Sequence, residues 1–327
     1  MAKLMIRHII FALVILVIIA AGGCGKDNGV TPTGDIPGII NTVHILGDAL
    51  DVVVTGGYAY VANGSRGLQI IDIDPPGSAY VVENVSLPGY SKSITVKDGF
   101  AYVADYDKGV HIIDIDPIET ADVVKTIETG GNPEAVAVEG GYAYVADHMK
   151  GLVIIDIDPL ESAEILNTIA TPSYAMDVTL SNGYAFVADS VEGLQIIDVS
   201  GPVAAQIVKA VDTPGHATGG LEVFEGYLIL ADGEKGLQVI DIDPIESASI
   251  VKTVPLTGWA TDVVISGGHV YVTDGVAGLH ILTYTPPTTA TINDTVDTPE
   301  YALGLDVVGK YAYVADSWQG LEIVQLW

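Results

Sequence analysis

A carboxylate recurs along this chain at a nearly fixed interval. Asp105, Asp147, Asp189, Asp232, Asp274 and Asp316, with Asn63 in the corresponding first place, stand 42, 42, 42, 43, 42 and 42 residues apart. Each opens an Asp-x-x-x-Gly stretch, so the first chemistry to consider is a set of hard oxygen ligands, for which calcium is the matching cation. Asp105, Asp147 and Asp189 are the candidate ligands. A calcium loop, however, gathers several oxygens within a few residues, and the neighbours of these aspartates vary from copy to copy. The other reading needs no ligand: the carboxylate accepts backbone N–H groups of its own turn, and the glycine takes a left-handed position. No cofactor is therefore expected, with calcium as the alternative.

A second series, Asp72, Asp114, Asp156, Asp198 and Asp241, falls among isoleucines. A carboxylate in such surroundings must be held by backbone N–H groups of a nearby turn, because burying it unpaired costs several kcal/mol. The seven histidines, His8, His44, His111, His148, His216, His269 and His280, occupy unrelated repeat positions apart from His111 and His280, so they do not converge on a zinc-type set. No serine sits in a G-x-S-x-G elbow. No catalytic residue is assigned.

The elements that carry these residues are hairpins. Gly140–Pro159, GGYAYVADHMKGLVIIDIDP, reads as a glycine turn, an alternating strand, a short loop and a second strand. Its copies begin at Gly56, Asp98, Asn182, Glu225, Gly267 and Gly309, and a fixed-period repeat outweighs any single motif. Most turn pairs, from Gly56-Gly57 to Gly267-Gly268, tolerate the positive φ of a two-residue hairpin. Each unit holds four strand-like segments, which is the period of a β-propeller blade. The last unit stops after its third strand, while Ile39–Ile45 aligns with the fourth strand of a later unit and has no hairpin of its own. Pairing the two closes a ring of seven blades and hides two sheet edges; six blades with a loose end is the alternative. Gly (37) and Tyr (16) outnumber Phe (4) and Met (4), which suits turn-rich all-β structure.

In such a ring, the loop between second and third strands and the crossing into the next blade share one face. Residues needed in every blade serve the fold, so partners are expected at the varied positions. Tyr90, Tyr174, His216, Trp259 and Tyr301 occupy the crossings, and Tyr106 and Trp318 the loops; aromatics on an acidic surface suit a protein loop or a glycan. The competing reading has the crossing residues wedged between blades and plugging the central channel.

The N-terminus differs in kind. Lys3 and Arg7 precede an apolar run from Ile9 to Ala21, which is the pattern of a secretory signal, with an uncleaved anchor or plain signal as alternatives. Ala21-Gly22-Gly23-Cys24 resembles the lipobox of bacterial lipoproteins, although Ala21 stands where leucine is usual. The resemblance implies cleavage after residue 23, acylation of Cys24 and attachment to the cell envelope or cell surface. Residues 24–37, polar and rich in Gly and Pro, form a tether, and 38–327 form the propeller. Removing residues 1–23 leaves 11 basic and 42 acidic residues, a formal charge of −31. Nucleic acid, which needs clustered Lys and Arg, is not an expected partner.

GLQIIDID (67–74), GVHIIDID (109–116), GLVIIDID (151–158), GLQIIDVS (193–200) and GLQVIDID (236–243) resemble the LVIVD repeat of bacterial and archaeal surface proteins. A looser similarity links the chain to YVTN-type propellers. The pattern weakens at GLHILTYT (278–285) and GLEIVQLW (320–327). The LVIVD resemblance implies a propeller, export and no assigned activity. The expected role is a lipid-anchored binding or scaffold module for an envelope protein or glycan. The alternatives are a quinoprotein-type or carbohydrate-active propeller enzyme using the same face, and a purely structural envelope protein.

Overall fold

The computed structural model describes residues 36–285 and 289–327. Residues 1–35, with the expected signal segment, Cys24 and most of the tether, lie outside the described residues. The chain forms seven four-stranded antiparallel sheets arranged as the blades of a propeller. Blade 1 comprises Asp51–Thr55, Tyr58–Ala62, Leu68–Asp72 and Tyr80–Val85, from the channel outward. Blades 2 to 6 repeat this order, their inner strands being Ser91–Lys97, Ala135–Glu139, Asp177–Ser181, Gly219–Phe224 and Asp262–Ser266. Blade 7 has three strands from the C-terminal end of the chain, Leu305–Val308, Tyr311–Ala315 and Leu321–Gln325, and takes Gly38–Val43 as its outer strand. Val43 lies opposite Leu321 and Gly38 opposite Gln325, so the ring closes as expected.

The hairpin turns follow from residue type. Asp98, Asn182 and Glu225 adopt φ of 51°, 52° and 50°, each followed by a glycine that is also left-handed. Hydrophobic burial lies between blades rather than in one central core. Seven clusters each join two neighbouring blades, as where Phe186 and Leu194 of blade 4 meet Leu228 and Ile240 of blade 5. That explains the near-continuous apolar third strands: Leu68, Ile70 and Ile71 are fully buried because both faces of the blade are covered. Each such side chain contributes roughly 1.5–3 kcal/mol on burial.

The outer strands leave seven sheet edges. In every blade the pairing between third and outer strand slips by one residue at the same place, for example between Ile154 and Ile155 in blade 3. A bulge there bends the edge and breaks its regular pairing surface, which disfavours edge-to-edge association.

Candidate binding face and central channel

In blades 2 and 4 to 7 the loops joining second to third strands are held by the recurring aspartates, whereas in blade 3 both Asp147 oxygens are buried without a hydrogen-bond partner. The Asp105 carboxylate accepts the N–H groups of Gly89, Tyr90 and Asp107 at 3.0 to 3.1 Å. The first two belong to the crossing from blade 1, so the aspartate fastens that crossing to the loop of the next blade. The carboxylate comes so close that a Cβ at Gly89 would overlap it. Asp189, Asp232, Asp274 and Asp316 accept from Ser173, Gly215, Gly258 and Glu300 in the same manner. Burial alone would raise Asp105, but His111 and the backbone donors together hold it below the usual carboxylate value.

This geometry bears on the calcium alternative. Asp105, Asp147 and Asp189 are each fully buried inside their own blade and are not brought together. Among the described residues, no group of three or more His, Cys, Asp or Glu side chains is placed to hold a metal ion. The second aspartate series behaves as its sequence context suggests. Asp72, Asp114, Asp156, Asp198 and Asp241 each accept the N–H two residues further on, at 2.9 to 3.1 Å. They are only partly buried, because the strand ends there.

The crossing aromatics divide. Tyr90 donates its hydroxyl hydrogen to Asp48 Oδ2 at 2.7 Å, and burial together with Asp48 pushes the phenol up to about 12. Its ring lies against Gly64, as those of Trp259 and Tyr301 lie against Gly233 and Gly275. Trp259 and Tyr301 also line the channel. His216 packs beside Trp259, with ring centroids 5.6 Å apart, and its Nδ1 is 3.1 Å from Glu234 Oε2. In blade 3 the loop glycine is replaced by His148, and Tyr174 stacks flat on the imidazole at 4.1 Å. Tyr106 meets His148 edge-on at 6.1 Å. Tyr174 and Trp318 are exposed, as the binding reading requires.

The aromatics were not the whole signal. The third residue of the seven loops is Ser65, Asp107, Met149, Val191, Glu234, Val276 and Trp318. The four apolar members are 74%, 54%, 71% and 74% exposed, respectively. Reading that column of the repeat, rather than searching for aromatics, would have added Val191 and Val276. Leu46, on the crossing beside the blade 7 loop, is likewise exposed.

The inner strands enclose a channel of about 650 Å³. Asp51, Asp177, Glu222, Asp262 and Asp306 line it. Four of them link blades. Asp51 accepts the Ile94 N–H at 2.9 Å, Asp262 the Leu305 N–H at 2.8 Å and Asp306 the Val54 N–H at 2.7 Å, each on the next blade. Asp177 is similarly bonded to Gly220. Burial, with Asp51 nearby, pushes Asp177 up to about 6; burial, with Asp306 nearby, pushes Glu222 to about 7. At the mouth Lys92 pairs with Glu134 at 3.1 Å. The aspartates are thus interblade ties, while the loop tips are free to touch a partner.

Comparison with known proteins agrees with this architecture. The LVIVD repeat matches residues 46–86, 88–117, 130–163, 172–213, 214–249, 257–298 and 300–325. No curated protein matches the chain. Among solved structures, the WD40 beta propeller domain of Doa1 is similar, with a TM-score of 0.70 at 12% identity, covering 88% of this chain and 96% of that one. The computationally designed Ika8 protein gives a TM-score of 0.65 at 8% identity, covering 88% and 99%. At such identities the likeness concerns the fold.

Proposed function

Because the chain belongs to the LVIVD repeat family, whose matches span most of its sequence, we propose that it is an exported, lipid-anchored propeller that binds an envelope or surface protein through its loop face. The observation that carries this reading is the set of exposed apolar tips, Met149, Val191, Val276 and Trp318. They sit where the fold asks for no apolar residue, since blades 1, 2 and 5 use Ser65, Asp107 and Glu234 at the same place. Exposed apolar side chains rimmed by polar ones mark sites of association.

The N-terminal sequence supports export, through Lys3, Arg7, the apolar run and Cys24. Two acyl chains suffice for stable attachment. Gly38, where the tether meets the propeller, lies opposite Gln325, at the end of blade 7 away from its loop. The described chain therefore enters the propeller on the face opposite the apolar tips, an arrangement suited to presenting those tips to a partner.

The test replaces all four tips with serine in the full chain and measures binding to fractionated envelope proteins and to envelope glycans. Loss of one saturable protein ligand, with unchanged melting, is the expected result. Retained binding by the quadruple variant, or saturable binding to a glycan alone, overturns the assignment.

A further inference from the structure

At the end away from its loop, each blade finishes on a row of four paired residues running from the inner strand to the outer. In blade 1 the row is Thr55, Tyr58, Asp72 and Tyr80. In blade 7 it is Val308, Tyr311, Gln325 and Gly38. Two residues past the row, the chain leaving the third strand reaches Asp74, Asp116, Asp158 and Asp243 in blades 1, 2, 3 and 5, serine in blade 4 and threonine in blade 6. Blade 7 has Trp327 there. Two residues before the row, the chain entering the outer strand passes serine or threonine in blades 1, 2, 3, 5 and 6 and alanine in blade 4. Blade 7 has Ile36.

The inner strand departs in the same way. Thr55, Lys97, Glu139, Ser181 and Ser266 end five of the other six inner strands, and Val308 ends that of blade 7. Ile36, Val308 and Trp327 are 83%, 45% and 41% exposed, respectively. Because Gly38 lies opposite Gln325 in an antiparallel pair, Ile36 and Trp327 stand at the same end of blade 7, and Val308 closes the inner side of that row. Trp327 touches His269 of blade 6, with ring centroids 4.9 Å apart, and still presents part of its ring to the outside. Charge changes at the same place. The third strand of each of blades 1 to 5 ends on an aspartate at this row, whereas Thr283 and Gln325 end those of blades 6 and 7. Among the described residues, the rows and hairpin turns at this end of blades 6 and 7 hold no carboxylate, and Lys310 supplies a cation.

We propose that this end of blade 7 is a lipid contact, with Ile36, Val308 and Trp327 entering the headgroup boundary of the membrane that anchors the chain. The proposal rests on attachment through Cys24. Cys24 stands twelve residues before Ile36, and twelve residues span at most about 40 Å even when fully extended. Ile36 is thus the described residue that the anchor holds closest along the chain, and the apolar departures cluster around it rather than elsewhere on the ring. Tryptophan suits this boundary because its ring is apolar while its N–H stays within reach of the headgroups. An acidic protein is repelled by anionic lipid, so the sector without carboxylates is the one that approaches most easily. Three side chains offer far less area than the roughly 800 Å² per partner of a stable protein interface. A small apolar patch of this kind suits a surface that an anchor has already brought near.

The experiment uses the full chain, acylated at Cys24 and inserted into phosphatidylcholine vesicles containing a nitroxide-labelled lipid. Cys24 is the only cysteine, so once it is acylated an added cysteine takes a thiol-reactive fluorophore selectively. The fluorophore is placed at Lys310→Cys in blade 7 and, separately, at Glu139→Cys at the same end of blade 3. Quenching should be several-fold stronger at position 310 than at position 139. A triple variant, Ile36→Ser, Val308→Thr and Trp327→Asp, writes the blade 1 residues Ser78, Thr55 and Asp74 into blade 7. It should remain on the vesicles through its acyl group while quenching at position 310 falls to the level seen at 139.

Equal quenching at the two positions, or quenching at 310 that survives the triple variant, would overturn the proposal. So would an unquenched label at 310 accompanied by crosslinked dimers, which would assign the patch to a second copy of the chain. If the triple variant does not fold, the two labels on the unaltered patch decide the matter. A chain that is never acylated or never stays with the vesicles defeats the attachment reading itself, a result distinct from an attached chain whose label at 310 is unquenched.

Discussion

Asp306 Oδ2 accepts the Val54 N–H at 2.7 Å, tying the inner strand of blade 7 to that of blade 1 across 252 residues of sequence. With the pairing of the closing strand on blade 7, it makes two closures of one ring, one at the channel and one at the rim. Removing a partner from a buried backbone donor costs about 1–3 kcal/mol. Asp306→Ala should lower unfolding free energy by that amount in chemical denaturation. Asp198→Ala, which removes only the bonds from the Ser200 N–H and hydroxyl at a partly exposed strand end, should cost less than about 1 kcal/mol.

The channel makes stability fall as pH rises. Asp177 at about 6 and Glu222 at about 7 are both raised above ordinary carboxylates, first by burial. Their contribution is complete near pH 4 and disappears as pH passes through those values. Unfolding free energy should therefore decline between pH 5 and pH 8. Glu222→Gln should recover about 1–3 kcal/mol at pH 8 and nothing near pH 4. An unchanged profile in the variant would assign the decline to other groups.

Val43 and Ile45 are buried at the junction of blades 7 and 1. Deleting residues 36–45 exposes the third strand of blade 7 and removes both side chains from that junction. The truncated protein should aggregate or melt well below the full chain. Melting at the wild-type temperature would mean that the ring does not depend on its N-terminal strand.

Attachment through Cys24 is tested by fractionation. Cys24→Ser in cells should move the protein from the membrane to the unattached fraction and abolish labelling by a fatty-acid analogue. Continued membrane association without label would point to an uncleaved anchor.

The architecture was legible because each blade repeats both its apolar pattern and its turns. Tyr142–Ala146 and Leu152–Asp156 announce a hairpin that must be covered on both faces, and the leftover Ile39–Ile45 strand announces closure. The site was legible only in part. Tyr174 and Trp318 stood out as aromatics, whereas Val191 and Val276 look like ordinary strand residues until the loop column is read as exposed. The channel carboxylates were missed for another reason. Asp51, Asp177, Asp262 and Asp306 do not recur in every blade, and their bonds run to the next blade, as from Ile94 to Asp51 across 43 residues. Such a relation depends on the angle between blades, which no periodicity displays.

The loop face is tested most directly by placing a photo-crosslinking residue at Trp318 in the full chain and, separately, at Asn182 in an exposed hairpin turn at the other end of blade 4. Illumination in cells should join the Trp318 variant to one envelope protein, identifiable by mass, while the Asn182 variant yields none of that product. Equal products from both positions, or a product from Asn182 alone, would contradict the assignment of the loop tips as the binding surface.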